Sequence, residues 1–163
     1  MEKHQSIRVR ILVKAFPQPS QKHEETVCCA GITEDGRLLR LYPIRFRRLP
    51  KEHQFVRFDL VKLTVTKAAV PRPESYRVDE GSIRVVEPGK RLSDEARVRL
   101  WQPFIAHSLD YLLADNQASN RSLGIVRPDP GTLRFMVRPA HEVDATDIEI
   151  AEQVRQAEQS SLF

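Results

Sequence analysis

Hydrophobic and polar residues alternate along the first part of the chain with the period of a β-strand. Ile7, Val9, Ile11 and Val13 occupy every second position, and mostly basic residues stand between them. Successive side chains of a strand point to opposite faces. The pattern therefore predicts a half-buried strand over residues 7–14 with a mostly basic outer face.

A β-hairpin is predicted next. Two apolar runs flank Asp35-Gly36, and this dipeptide is a strong hairpin signal because Gly adopts positive φ without strain. We expect antiparallel strands over residues 27–33 and 37–43, joined by a tight primed turn.

The segment from Phe55 to Thr66 is rich in β-forming residues, and its hydrophobic parity changes partway. The alternating apolar residues follow one parity up to Leu60 and the other from Val61 onward. Such a switch inside a continuous strand indicates a bulge or sharp coil, which lets one strand serve two sides of a small closed barrel. A strand buried on both faces would give a similar pattern.

Helical spacing replaces strand alternation after residue 90. Ser93 precedes two acidic residues, as at the start of a helix, and apolar residues then recur at helical spacing to about Asn116. Pro103 interrupts this pattern, which predicts either a kinked helix or two consecutive helices with Pro103 in the first turn of the second. Trp101 is interpreted as an anchor that packs this segment into the core.

The rest of the chain predicts short strands over residues 123–126 and 133–137 and an acidic helix over residues 144–159. The fold class is therefore mainly β with helices (α+β). We predict a small β-barrel unit of antiparallel strands over residues 1–90. Residues 91–163 are predicted to hold the helical segment, short strands and the C-terminal helix, either as a separate domain or within one compact domain.

Charge is distributed unevenly along the chain. The net charge is +4, yet residues 1–60 carry 12 Lys and Arg against 7 Asp and Glu, whereas residues 128–163 carry 3 against 7. A basic surplus fits a polyanionic partner. An unevenly charged solvated surface explains it equally well.

The cysteines and the N-terminal segment indicate a cytoplasmic protein. Cys28 and Cys29 are adjacent, so their side chains point to opposite faces of a strand and a disulfide between them would be strained. Two free thiols are typical of a reducing compartment. We find neither a secretory signal nor an apolar run of membrane-spanning length, and we expect no membrane partner.

No pattern predicts a catalytic, metal or cofactor site. The five histidines are scattered, and the six glycines form no phosphate-binding motif. We therefore expect no enzyme activity and no cofactor. A thiol-dependent enzyme that uses Cys28 or Cys29 is an alternative.

A cluster of basic and aromatic residues over residues 37–48 is the strongest functional signal. Cations follow the phosphates of a single-stranded nucleic acid, and flat side chains stack on its bases. Arg8 and Arg10 are expected on a strand beside this cluster. The alternative is that the two aromatic residues pack in the core while the arginines surround it. The predicted contact residues are Lys14, Arg40, Tyr42, Arg45, Phe46, Arg47 and Arg48.

Four stretches of the chain resemble the dual OB-fold domain, a bacterial domain of predicted defence and other conflict systems. They are KAFPQPSQKHEETVCCAGI, GRLLRLYPIRFRRL, QFVRFDLVKLTV and RPESYRV, which together run from about Lys14 to Val78. SLGIVRP and the final SLF agree more weakly. The resemblance implies two tandem OB-like barrels that bind nucleic acid and have no known catalytic role. Because the family continues beyond the SLF-like segment, we expect a partial or atypical second β unit.

The sequence therefore predicts a non-enzymatic module that binds single-stranded DNA or RNA, with a role in bacterial defence implied by the resemblance. An adaptor that binds a protein partner through residues 144–163 is the alternative, because this segment is acidic.

Overall fold

The computed structural model describes residues 4–15, 18–20, 24–132 and 134. Within these residues the chain forms β-strands, α-helices and short 3₁₀ turns. The strands are β1 (Gln5–Lys14), β2 (Gln18–Ser20), β3 (Glu24–Thr33), β4 (Leu38–Ile44), β5 (Leu60–Lys67) and β6 (Ser75–Glu87), and the helices are α1 (Asp94–Trp101) and α2 (Leu109–Ser119).

Five strands close into a ring. β1 pairs with both β3 and β5, and the ring runs β1-β5-β6-β4-β3 and back to β1. The β4–β6 pairing is parallel and the other pairings of the ring are antiparallel. β2 pairs with β3 outside the ring. This uneven closed ring is an OB-like barrel, so the predicted fold class is confirmed.

The core fills the inside of the ring. Val9 and Ile11 of β1 are fully buried, as the alternation of that strand predicted. They pack against buried residues of the four other strands of the ring and of the segment that joins β4 to β5. These buried residues are Val27, Cys29, Leu39, Leu41, Ile44, Leu49, Phe55, Val61, Leu63, Val65 and Ile83.

The predicted hairpin forms between β3 and β4, but its turn belongs to another class. The amide of Gly36 donates to the carbonyl of Thr33 and the amide of Thr33 donates to that of Arg37, both at 2.9 Å. Gly36 has φ of 78°, whereas Asp35 is not among the residues with positive φ. A primed type I turn needs positive φ at both central residues. The turn is therefore a three-residue loop with glycine in the left-handed position, and not the tight primed turn expected.

The parity switch near residue 60 has a different cause from the one predicted. β5 begins at Leu60, and a turn precedes it, in which the amide of Val56 donates to Asp59 Oδ2 at 2.8 Å. Phe58 in this turn has φ of 72°. The prediction of one continuous strand is wrong, because the change of parity marks a reversal of the chain. The barrel closes because β1 pairs with both β3 and β5.

The helical segment consists of two consecutive helices. α1 begins after Ser93, whose Oγ accepts a hydrogen bond from the amide of Ala96 at 3.2 Å, as predicted. Pro103 lies in the 3₁₀ turn Gln102–Phe104, which separates the two helices. Its predicted place in the first turn of the second helix is wrong, because α2 begins after Ser108. Trp101 is only half-buried and lies outside the core cluster. Its predicted role as a core anchor is therefore wrong.

The chain divides into two compact units, residues 1–127 and residues 128–163. In the first unit, residues 123–126 form an isolated parallel bridge between Ile105 and Ile125 where a strand was predicted. The predicted strand over residues 133–137 and helix over residues 144–159 lie outside the described residues. The predicted boundary near residue 90 stays a prediction. In the described part of the chain, no helix has the length and apolar character needed to cross a membrane.

Candidate functional site

A cleft of about 1060 Å³ lies where β4 and β6 run side by side on the barrel. Leu39 and Leu41 of β4 point into the core, so the alternating Arg40 and Tyr42 point outward. The loop that joins β5 to β6 adds a second wall. The lining residues are Cys28, Arg40, Tyr42, Pro43, Arg45, Ala68, Ala69, Val70, Arg72, Ser75, Arg77, Val78, Asp79, Glu80 and Gly81.

The parallel pairing gives the cleft two distinct ends. Arg40 of β4 stands opposite Ser75 of β6, and both strands run in the same direction from there. Arg45 lies five residues after Arg40, and Glu80 lies five residues after Ser75. These two residues therefore mark the other end of the cleft. The span between these ends is roughly 17 Å at the rise of a β-strand.

Arginine dominates the charge of the cleft. Four arginines line it, against the carboxylates of Asp79 and Glu80. The guanidinium groups of Arg72 and Arg77 make no hydrogen bond or ion pair to another residue of the described chain, and both side chains are exposed. These two cations are therefore available to an anionic ligand.

Arg45 is paired with Glu80. Its Nη2 donates to Glu80 Oε2 at 2.7 Å, and its amide donates to Oε1 at 2.6 Å. Desolvation alone would raise the pKa of Glu80, but the hydrogen bonds from Arg45 outweigh it and hold the pKa below its ordinary value. The predicted phosphate contact of Arg45 would have to compete with this carboxylate.

Arg40 is held at the other end by a chain of hydrogen bonds. Its Nη2 donates to Ser122 Oγ at 3.0 Å, and the same hydroxyl donates to Glu74 Oε1 at 2.7 Å. Arg40 Nη1 also lies 3.6 Å from Cys28 Sγ. Burial would raise the pKa of Glu74, but the hydrogen bonds from Ser122 contribute to lowering it. Arg40 is therefore oriented by groups beside the cleft.

The two predicted stacking residues have different surroundings. Tyr42 is 42% exposed and lines the cleft. Phe46 packs against the core, with its ring centroid 5.2 Å from that of Phe55 in an edge-to-face arrangement. The alternative in which the aromatic residues pack in the core thus describes Phe46 and not Tyr42.

Lys14 lies over Phe46, with Nζ 3.7 Å from the ring centroid, in a cation–π contact. Desolvation in this position lowers the pKa of Lys14. Arg47 and Arg48 are exposed in the 3₁₀ turn Phe46–Arg48. The structure therefore brings Arg40, Tyr42 and Arg45 together in the cleft, and none of these other four predicted residues is among its lining.

Arg8 and Arg10 do not extend the cluster. β1 pairs with β3 and β5, whereas β4 pairs with β3 and β6. Arg8 forms an ion pair with Glu34 at 3.3 Å, and Arg10 with Glu87 at 3.0 Å. The expectation that these arginines lie on a strand beside β4 is wrong, because β3 and β5 are their neighbours.

Sequence reasoning missed five polar residues of the cleft, namely Arg72, Ser75, Arg77, Asp79 and Glu80. The alternation of Ser75 and Arg77 in RPESYRV indicated a shared strand face. Their proximity to Arg40 depends on the parallel pairing of β4 with β6, which no local pattern specifies.

The two thiols differ in accessibility. Cys29 is fully buried, and burial raises its pKa to about 12, so it carries no thiolate at neutral pH. This argues against the alternative in which Cys29 is a nucleophile. Cys28 is half-buried and lines the cleft. Among the described residues, no three His, Cys, Asp or Glu side chains are grouped as metal ligands.

A comparison with protein families matches residues 5–103 to a domain of unknown function, DUF8758. A search of curated proteins and a search of solved structures each found no match. The resemblance to the dual OB-fold domain is not tested by this match and stays a prediction. The matched region runs from the start of β1 into the turn after α1, so it contains the whole barrel and more than half of the chain. The chain therefore belongs to the family described as the domain of unknown function DUF8758.

Proposed function

We propose that this protein is a non-enzymatic module that binds single-stranded nucleic acid in the cleft between β4, β6 and the β5–β6 loop. The observation that carries the proposal is the set of four arginines along this cleft, of which Arg72 and Arg77 have no ion-pair partner in the described chain. A phosphate backbone supplies the negative charges that such a row of cations lacks.

The composition of the cleft favours an unpaired strand over a duplex. Arg40, Arg72 and Arg77 contact phosphates, and the exposed ring of Tyr42 stacks on a base. Stacking on a side chain requires a base that is not enclosed in a double helix.

The position of the cleft on the barrel supports the same proposal by analogy. In OB-fold proteins, oligonucleotides bind on the face of the second and third barrel strands and on the loop between the fourth and fifth. Here β3 and β4 are the second and third strands of the ring, and residues 68–74 join the fourth to the fifth. The cleft therefore lies on the strands and the loop that correspond to the oligonucleotide-binding face of OB-fold proteins.

Binding of a short fluorescent single strand over a series of salt concentrations tests the proposal. Each phosphate contact contributes a slope of about −0.7 to the plot of log affinity against log salt concentration. Arg72→Ala combined with Arg77→Ala is therefore expected to reduce the magnitude of the slope by about 1.4. Fluorescence anisotropy measures the affinities, and the melting temperature checks that the variant is folded.

Arg91→Ala combined with Arg99→Ala is the matched control. Both residues are exposed arginines outside the cleft, so the net charge changes equally in the two variants. An equal change of slope in both variants would show that binding follows total charge and not the cleft. Absence of binding at low salt would contradict the proposed function itself.

The roles that the sequence left as alternatives stay predictions. The adaptor hypothesis places a protein partner at residues 144–163, which lie outside the described residues. A role in bacterial defence depends on the resemblance to the dual OB-fold domain, and the matching family carries no stated function.

A further inference from the structure

We propose that the cleft contains a subsite for a terminal phosphate group, so that the protein holds the end of a single strand at Arg40 and Ser75. This inference deepens the proposed function and rests on it. It concerns which part of the strand is recognised, and it distinguishes a phosphorylated end from an internal segment of the backbone.

Another part of the chain borders the cleft at this end. Ser122 accepts a hydrogen bond from Arg40 and donates one to Glu74, the residue immediately before Ser75. The amide of Ser122 also donates to Glu74 Oε1, at 2.9 Å. A strand that follows the cleft along β4 and β6 meets this hydrogen-bonded segment beyond Arg40, so the strand ends there.

The hydroxyl of Ser75 is buried and has no hydrogen-bond partner in the described chain. Ser75 is 6% exposed and lines the cleft, and its Oγ makes no hydrogen bond within the described chain. Arg40 stands opposite Ser75 on the neighbouring strand, and its Nε is also buried without a hydrogen-bond partner in the described chain. Unpartnered buried donors are costly, and acceptor oxygens that reach both groups remove that cost.

Both donor atoms are buried. A ligand therefore reaches them by displacing side chains of the cleft, and those of Arg72 and Arg77 are exposed. The same two guanidinium groups then contact the entering phosphate, because they stand beside Ser75 on the loop and on β6.

A terminal phosphate matches these groups better than an internal one. A phosphomonoester carries about −1.5 to −2 charges at pH 7 and three acceptor oxygens, whereas a phosphodiester carries a single charge. Arg40, Arg72 and Arg77 carry three positive charges, and the carboxylate of Glu74 beside Arg40 offsets one of them. The remainder is still more than one diester neutralises. Charge-assisted hydrogen bonds from arginine are also the strong ones.

Three versions of one short oligonucleotide test the subsite, each with the same internal fluorophore. One carries a 5′-phosphate, one a 3′-phosphate and one only hydroxyl ends. At equal salt concentration, one phosphorylated version is expected to bind the full-length protein about tenfold more tightly than the unphosphorylated one, and the comparison shows which end is held.

Ser75→Ala separates the subsite from general binding. Its hydroxyl has no partner within the described chain, so its removal leaves the melting temperature unchanged or raises it. The variant is expected to lose most of the preference for the phosphorylated end, measured as the ratio of its affinities for the phosphorylated and unphosphorylated strands. Ser6→Ala, at an exposed residue of β1, is the control and keeps the preference.

The possible outcomes distinguish the two proposals. Equal affinity for all three oligonucleotides, with a steep dependence on salt, would overturn the terminal subsite and leave the proposed function standing. An unchanged preference in Ser75→Ala would also overturn the subsite as placed here. Failure of every oligonucleotide to bind at low salt would overturn both.

Discussion

Asp59 shows how one carboxylate organises the start of β5. It is only 5% exposed, its Oδ1 accepts from the amide of Gly89 at 2.7 Å, and its Oδ2 accepts from the amide of Val56 at 2.8 Å. Buried carboxylates are tolerated when backbone donors satisfy them. Asp59 therefore joins the turn before β5 to the segment that follows β6.

Gly89→Ala is expected to destabilise the protein by about 2 kcal/mol, in the range measured for overpacked sites. An added Cβ at Gly89 would lie 2.3 Å from the carbonyl carbon of Phe58 and 2.7 Å from the amide nitrogen of Asp59. Both are backbone atoms, so neither neighbour can rotate away. Urea unfolding of the purified variant measures the loss.

Gly81→Ala is the matched control for this substitution. The nearest atom to its added Cβ is Asp79 Oδ1 at 3.5 Å, an ordinary van der Waals distance. The two variants carry the same change of residue type, so only the space around the Cβ differs. Equal stability of both variants would contradict the close approach at Gly89.

The ion pair between Arg45 and Glu80 connects two elements, the turn after β4 and strand β6. The pKa of Glu80 in the folded protein lies below its ordinary value of 4.5. Folding is therefore stabilised by the charged form above that value, and this stabilisation is lost as the pH falls through the lower folded-state pKa.

Glu80→Gln is expected to be less stable than the wild type at pH 7 by about 0.5–1 kcal/mol, because Arg45 is half exposed and the pair is screened by solvent. The difference should shrink as the pH falls below 4.5 and through the lower pKa of Glu80 in the folded protein, because the carboxylate then becomes protonated. Urea unfolding at pH 7 and at a series of acid pH values measures it. Glu52→Gln, at an exposed residue of a neighbouring turn, is the control. A difference between Glu80→Gln and the wild type that is independent of pH would contradict the assignment.

Elements with a local signal were predicted well. β1 follows from strict alternation, the β3–β4 hairpin from Asp35-Gly36, and the start of α1 from Ser93, because each signal lies within a few residues of the element that it specifies. The segment before β5 was predicted wrongly because its turn has no such local signal. A turn with Phe58 at positive φ is stabilised by distant contacts, including its amide donating to the carbonyl of Ile11 at 2.6 Å.

At the scale of the whole molecule, the basic residues that are dense in sequence are spread over different places in the fold. Arg40 and Arg45 line the cleft, whereas Arg47 and Arg48 lie in the turn that follows β4. Residues from a remote segment replace them, since Arg72 and Arg77 join the cleft through β6 and its preceding loop.

Arg47→Ala combined with Arg48→Ala is therefore expected to change the salt dependence of oligonucleotide binding less than Arg72→Ala combined with Arg77→Ala does. The two variants lose the same charge, but only the second removes cations from the cleft. Fluorescence anisotropy at a series of salt concentrations compares them. A larger change of slope in the Arg47 and Arg48 variant would place the binding surface on the turn after β4.

Local patterns in the sequence were sufficient for the strand faces, the hairpin, the start of α1 and the basic character of the barrel region. These properties depend on side-chain period and on the backbone preferences of single residues. Ring closure by β1 and the placement of Ser75 opposite Arg40 arise only in the folded chain. Pairing between strands that are not consecutive is selected by the packing of the whole core, and Arg40 and Ser75 are 35 residues apart along the chain.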